Sequence, residues 1–341
     1  MSDNELPELP ELVVLTGAGF FKACGLPLTS EFNTMLYNRL IDNKELTRRI
    51  IEERNFEQIY TDLQEEKNKH FEELHNEVKK IFIQIDERCK VIGGDISNNV
   101  RDKFFKHYFE GKNAPLRLDY FTLNQDLLYE HGQLITINPP FEFIYPGISQ
   151  HVTKEKIKIQ EKSILELKNK FEDQIPTRAL DDNYNNNHKV FFWKLHGSSN
   201  WKDENGNLMI FGTNKKEQIK KRPLLKFYME EFENVIQGKT LLIIGYSFND
   251  SHINNIIFDA ANKYKSTKIH IVFPEAKLNS NFYKKLFDAG KIPFMSCLKK
   301  GFNKKTNVFL HSYTLEDLFG FTPGENNFPF KLIELYNSLN K

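Results

Sequence analysis

The chain has 341 residues, 40% of them hydrophobic, enough for one large core or two ordinary ones and too many for a disordered polymer. Its 47 Lys and Arg balance 46 Asp and Glu at a net charge of +1, which is no footprint for bulk nucleic-acid binding or for an acidic membrane surface. Three widely spaced cysteines, Cys24, Cys89 and Cys297, exclude a disulfide framework and a four-thiolate zinc site within one chain. The first residues lack the pattern of a secretory signal, and the longest apolar runs, such as Leu241 to Tyr246, are far too short to span a bilayer. A reducing cytoplasm is the expected setting.

Leu12-Val13-Val14-Leu15 is an apolar, partly β-branched run ending in Thr16-Gly17-Ala18-Gly19, which predicts a buried strand followed by a glycine turn. Gly25-Leu26-Pro27 punctuates the segment, and Ser30-Glu31 is placed to open a helix. Residues ~35 to ~114 read as a helical insertion; Ile51, Phe56, Ile59, Tyr60 and Leu63 are one apolar set, and Gly93-Gly94-Asp95 is expected to break the helix. Strand character returns at Leu118 to Thr122. Residues 146–188 form a second excursion, with a helical run near Lys154 to Phe171 and an Asn-rich loop from Asp181 to His188. Three further strands are expected at Val190 to Leu195, Thr240 to Ile244 and Ile269 to Phe273, the last closed by Pro274.

Short apolar runs that end in small or polar residues, with helices between most of them, predict an α/β protein: a Rossmann-like parallel sheet with helical insertions. Residues 1–280 would make this domain, with insertions at 35–114 and 146–188. Residues 281–341 would form a C-terminal segment packing on the core or on a neighbouring subunit. Ligands of such sheets collect beyond the carboxyl ends of the strands.

Four motifs fall at those ends. Gly17-Ala18-Gly19 permits a tight turn and the close approach of a phosphate, although a plain strand-to-helix turn reads equally well from this pattern. In Asn124-Gln125-Asp126, Asn can hydrogen-bond a carboxamide, a ribose hydroxyl or a water, and Asp either orients a neighbour or caps the next helix, the commoner role. His196 in Leu195-His196-Gly197-Ser198 has the chemistry of a general base near neutral pH; alone such a His is more often structural, and its place in a glycine-containing turn where the motifs converge favours the functional role. In Gly245-Tyr246-Ser247-Phe248-Asn249-Asp250, Ser247 suits a ribose or phosphate oxygen, and Asp250 suits the cap of a helix starting near Ser251 or His252. No metal-ligating cluster is evident among the ten His and three Cys.

The order TGAG, GLP, TxNxD, HG, G-x-S resembles the sirtuin superfamily. LHGSSNW and IIGYSFNDSHIN are similar to the sirtuin-like NADase domains of bacterial anti-phage systems. The resemblance implies that Gly17, Ala18, Gly19 and Phe20 hold the pyrophosphate of NAD, that Asn124 sits by the nicotinamide ribose with Asp126 in support, that His196 is the catalytic histidine, and that Gly245 and Ser247 stand for the GTS turn. The departures are as informative. Gly25-Leu26-Pro27-Leu28-Thr29-Ser30 lacks the Asp, Phe and Arg of deacylating sirtuins, the Gln of TQNxD is Leu123, and Cys297 is the only cysteine after His196. The zinc module that supports an acyl-lysine peptide cleft is therefore missing.

The resemblance thus implies an NAD+ hydrolase (NADase) with NAD as substrate and no zinc, releasing ADP-ribose and nicotinamide as an antiviral defence effector. Asn124 would orient the ribose or the attacking water, and His196 would take a proton from one of them. The alternatives are an NAD-dependent deacylase or ADP-ribosyltransferase on the same fold, and a non-catalytic NAD-binding scaffold for a partner ATPase. A homo-oligomer is expected, and a HerA-type ATPase or another defence-system protein is the candidate partner; a membrane and direct nucleic-acid contact are not expected. The basic runs at Lys215-Lys216, Lys220-Lys221-Arg222 and Lys299-Lys300 read as solvated surface.

Overall fold

The structure is a computed structural model. It describes residues 10–22, 26–53, 55–100, 104–109, 114–133, 141–148, 157–176, 188–273, 297–298, 300–303, 306–313, 318 and 330–340. Cys24, Gly25, Lys154, most of the Asn-rich loop and Pro274 lie outside these residues, as does most of the segment after 273.

Strand β1 (Leu12–Thr16) is buried at all five positions, as a central strand covered on both faces must be. Five helices follow: α1 (Ala18–Lys22), α2 (Thr29–Arg39), α3 (Lys44–Glu53), α4 (Phe56–Glu65) and α5 (Phe71–Val100), then a single turn, α6 (Lys106–Tyr108). The chain re-enters the sheet as β2 (Arg117–Thr122), crosses α7 (Leu128–Gln133) and adds β3 (Glu142–Ile144). Next come β4 (Ile157–Lys158), α8 (Ile164–Gln174), β5 (Lys189–Lys194), β6 (Gly197–Asp203) and β7 (Gly206–Met209). The remaining elements are α9 (Lys215–Lys220), α10 (Pro223–Val235), β8 (Thr240–Ile244), α11 (Ser251–Lys263), β9 (Lys268–Phe273), β10 (Asn307–Ser312) and α12 (Phe330–Leu339).

Seven strands form one sheet in the order β10-β9-β8-β1-β2-β5-β3, and every neighbouring pair is parallel. The expected α/β class and all five expected strands are present, each within a residue or two of the apolar run that signalled it. The strands β3 and β10 at the two edges were not expected; each is short on continuous apolar residues because an edge strand needs less burial. A second sheet, β4-β6-β7, stands beside the first. Its strand β6 starts at Gly197 itself, so Gly197-Ser198 belongs to a strand and not to an open loop.

Several local expectations are corrected. Helix α5 runs through Gly93-Gly94-Asp95 without a break. Two glycines cost a helix about 1 kcal/mol each, and packing of the buried residues Leu74, Val78, Ile81, Ile85 and Cys89 outweighs that. Ile51 belongs to α3 and is 56% exposed, so it is not part of the apolar set, while Phe56, Ile59, Tyr60 and Leu63 are buried on α4. Helix α8 starts only at Ile164, where Ser163 and Glu166 form a reciprocal cap, and Ile157–Lys158 is a strand. Helix α2 starts at Thr29, one residue before Ser30, with the Glu31 carboxylate accepting from the Leu28 N–H at 2.8 Å. No helix among the described residues is long and apolar enough to cross a membrane.

Candidate functional site

The carboxyl ends of β1, β2, β5 and β8 meet where the parallel sheet predicts a crevice. The β1–α1 and β8–α11 turns lock together through their backbones. Gly17 N–H donates to the Ile244 carbonyl at 3.1 Å, Gly19 N–H to the Gly245 carbonyl at 2.9 Å, and Phe20 N–H to the Gly17 carbonyl at 3.0 Å. A Cβ on Gly19 would stand 2.8 Å from the Gly245 oxygen; one on Gly245, whose φ is +65°, would stand 2.2 Å from Phe20 N. The glycines are therefore required by turn-on-turn packing, whatever else they do. Three of the turn's N–H groups are engaged by protein carbonyls, and Ala18 is the exposed residue of the four. The Phe20 ring is buried against Tyr129, with ring centres 6.1 Å apart, and so faces the core.

Asn124 joins this pair of turns: its Nδ2 donates to the Gly17 carbonyl at 3.1 Å. Gln125, passed over by the sequence reading as the middle of its motif, ties β2 to the second sheet through the Ile210 carbonyl at 2.5 Å and the His196 carbonyl at 3.3 Å. Asp126 accepts from the Leu128 N–H at 3.0 Å, the helix-opening role that its spacing suggested. Burial pushes the Asp126 carboxyl up to about 6. Beneath it lies a buried polar cluster. Lys194 donates to the Asp126 carbonyl at 2.5 Å, to Glu130 Oε1 at 2.6 Å and to Ser198 Oγ at 2.9 Å. Asp86, from the helical insertion, accepts from Ser199 Oγ at 2.8 Å, and burial pushes its carboxyl up to about 7.

His196 is 3% exposed, at the turn between β5 and β6. Its Nε2 lies 3.2 Å from Nε2 of His252, in the first turn of α11. Burial pushes both rings down, His196 to about 3 and His252 to about 4, so both are neutral at pH 7. Asp250 stands at the N-cap of α11 but its side chain makes no capping bond, contrary to the expected role. Its carboxylate instead meets Lys215 Nζ at 2.8 Å, and Lys215 also meets Glu57 of the helical insertion at 2.8 Å. Burial raises the Asp250 carboxyl, but the histidines and Lys215 outweigh it, and the group sits below its ordinary range. Lys215 is thus 8% exposed and part of the site, not a solvated surface lysine. The backbone of the β8–α11 loop is held by Tyr246, whose hydroxyl contacts Asn254 Oδ1 at 2.8 Å, and by Phe248 in a left-handed conformation with φ +58°. Ser247 projects from this loop and is exposed.

Where the sequence showed no metal-ligating cluster, the fold assembles one candidate among the described residues: ligand atoms of His196, Asp250 and His252 lie within 4.8 Å of one another. His252 comes from α11 and Asp250 from its N-cap, distant in sequence from His196, and no spacing rule connects them.

A cavity of about 130 Å³ opens beside Asn124, Gln125 and Asp126. Its far wall is aromatic, with Phe32, Phe82 and Phe211, and Glu57 adds a second carboxylate. Whole ligand pockets are commonly roughly 300–1,000 Å³, so this one has room for a single ring and not for a dinucleotide. His196 is not among the residues lining it.

A comparison with curated proteins finds no match. Residues 146–293 match the family model described as SIR2-like domain. The matched stretch includes His196 and the Gly245–Asp250 loop; the first glycine turn and Asn124 lie before it. A SIR2-like domain suggests NAD-related activity. This match, carried on a seven-stranded parallel α/β sheet, supports sirtuin-like superfamily membership for residues 146–293.

Proposed function

We propose that the protein is an NAD+ glycohydrolase that cleaves the nicotinamide–ribose bond with water. The observation that carries this reading is the cavity beside Asn124, walled by phenylalanines and edged by Glu57 and Asp126. Its chemistry suits a flat, positively charged ring such as the nicotinamide of NAD+, which stacks on aromatic faces and is favoured by nearby carboxylates. The ribose would then lie outside the cavity, toward Asn124 and the histidine pair. The amide of Asn124 gives its Nδ2 hydrogen to Gly17, which leaves Oδ1 as an acceptor for a ribose hydroxyl or a water. The diphosphate would pass over Ala18 and Ser247, with Gly17, Gly19 and Gly245 contributing their lack of side chains more than their engaged N–H groups.

Breaking the glycosidic bond builds positive charge on the sugar, and the protein's part is to orient the leaving ring and to accept the proton lost by the nucleophile. His196 is the base in this scheme, and its ring is neutral at pH 7. Deacylation is disfavoured by the lack of four cysteines after His196. The likeness of LHGSSNW and IIGYSFNDSHIN to anti-phage NADase domains supports a role as a defence effector that depletes NAD, working as a homo-oligomer or beside a partner ATPase.

The test is product identification. Purified protein incubated with NAD+ alone should release ADP-ribose and nicotinamide in equal amounts. Release that requires an acylated peptide, or transfer of ADP-ribose to protein, would replace this reading with the deacylase or transferase one.

A further inference from the structure

His196 and His252 present the same ring atom to each other. Nε2 of one lies 3.2 Å from Nε2 of the other, with ring centres 5.4 Å apart. Two ring nitrogens this close are held by a hydrogen on one of them or by a cation between their lone pairs. A carboxylate completes the group: ligand atoms of His196, Asp250 and His252 all lie within 4.8 Å of one another. Two imidazoles and one carboxylate are a donor set for a divalent transition ion, and three protein ligands leave the fourth position of a tetrahedral site open. Two nitrogens bound at about 2.0–2.1 Å to a tetrahedral ion stand roughly 3.3 Å apart, against 3.2 Å here. The carboxylate lies farther out, and rotation of the Asp250 side chain, which no capping bond fixes, brings it in.

Different parts of the fold hold the three side chains. His196 is 3% exposed where β5 turns into β6. Gly197 beside it, at φ +78°, has no room for a side chain, since a Cβ would stand 2.0 Å from the Leu208 oxygen. His252 is half-buried in the first turn of α11. The backbone of Asp250 is held by the Tyr246 hydroxyl, which accepts from its N–H at 3.3 Å. Lys215 donates to Asp250 Oδ1 at 2.8 Å, which keeps Oδ2 for an ion and orients the carboxylate as outer-shell partners orient metal ligands. Lys215 in turn meets Glu57 at 2.8 Å, so Asp250, Lys215 and Glu57 together carry a net negative charge. We propose that His196, Asp250 and His252 form a binding site for a divalent transition ion of the zinc class. It is a different site from the four-thiolate module that this chain lacks. Filling it occupies the Nε2 lone pair of His196, so the ion and a base role at that atom exclude one another. That consequence, unlike the site itself, rests on the NAD-hydrolase reading, and it makes the ion an inhibitor that must leave before turnover.

The experiment titrates Zn²⁺ into untagged, chelator-treated protein by calorimetry and repeats the titration with Co²⁺, whose visible d–d bands report four-coordination. Wild type should bind one ion per chain and show those bands. His252→Gln and Asp250→Asn should each weaken Zn²⁺ by more than ~100-fold, beyond the roughly 10–100-fold of an outer-shell partner, with metal-free melting temperatures close to wild type. His270→Gln, at the other close histidine pair (Nδ1 to His311 Nε2, 3.0 Å), should bind as wild type does. No saturable binding by wild type overturns the site. So does unchanged affinity in both ligand variants, or a loss in His270→Gln instead. Imidazole ¹⁵N spectra of wild type locate the ion without any substitution: Zn²⁺ should shift Nε2 of His196 and His252, and shifts confined to other histidines overturn the site. NAD turnover in chelator and in saturating Zn²⁺ tests the consequence, and filling the site should cost roughly 100-fold or more, the scale of a lost base. Undiminished turnover with the site filled overturns the exclusion. No turnover in either state sinks the hydrolase reading and leaves the metal site to be decided by binding.

Discussion

Lys194 gives the sharpest test of how the site is supported. Its side chain is 0% exposed and that of Glu130 is 2% exposed, with 2.6 Å between them. Lys194→Met keeps the length and apolar stem of the side chain and removes the charge. It leaves Glu130 buried with the Tyr145 hydroxyl as its remaining partner, and it strips a donor from the Asp126 carbonyl. Removing one member of a buried pair costs roughly 3–5 kcal/mol, because the other charge stays behind without compensation. At about 2 °C per kcal/mol for a chain of this size, the melting temperature should fall by roughly 6–10 °C. The double variant Lys194→Met, Glu130→Gln removes both charges and still offers Tyr145 an acceptor, so it should recover at least half of the loss. Calorimetry on Lys194→Met, Glu130→Gln and the double variant checks this. A fall of less than ~1 kcal/mol for Lys194→Met, the level of an exposed pair, would refute the reasoning, as would a double variant no better than the sum of the singles.

Asp86→Asn should stabilise the protein, and increasingly so as pH rises. A carboxyl raised from 3.8 to about 7 by burial keeps its proton in the folded state while the unfolded chain loses it, so wild type loses stability between about pH 4 and pH 7; melts that show no growing gap over that window contradict the assignment. Gly245→Ala must place a Cβ 2.2 Å from Phe20 N in a left-handed conformation that itself costs about 1–2 kcal/mol, so denaturant unfolding should show a loss above ~2 kcal/mol. Gly93→Ala and Gly94→Ala should each raise stability by up to about 1 kcal/mol, since the helix continues through both positions; destabilisation by both would restore the expected break there.

The fold was legible because a parallel sheet covered on both faces writes its strands as continuous apolar runs, and β1, β2, β5, β8 and β9 are all of that kind. The edge strands β3 and β10 carry no such signature. The helical insertion was legible as helical, but Gly93-Gly94 misled, because local propensity yields to a long buried stripe. At the site, residues next to a strand end could be found by pattern: Gly17, Asn124 and Gly245 are drawn together by the hydrogen bonds between their turns, while the His196 ring faces His252. The partners of those residues could not. His252 reads as one more helix residue, Lys215 as part of a basic run, and Glu57 as one acid among many, and only the packing of α4, α9 and α11 against the β5–β6 turn makes them a connected set. Asp250 fitted a capping pattern so well that its actual ion pair was hidden.

The most direct test of the account is the turnover of NAD+ by wild type, His196→Ala and Asn124→Ala at matched concentrations, with binding of NAD+ measured alongside. The account predicts ADP-ribose and nicotinamide from wild type, and loss of roughly 100-fold or more in both variants while each still binds NAD+. Full turnover by both variants, or no binding of NAD+ by any of the three, would contradict it.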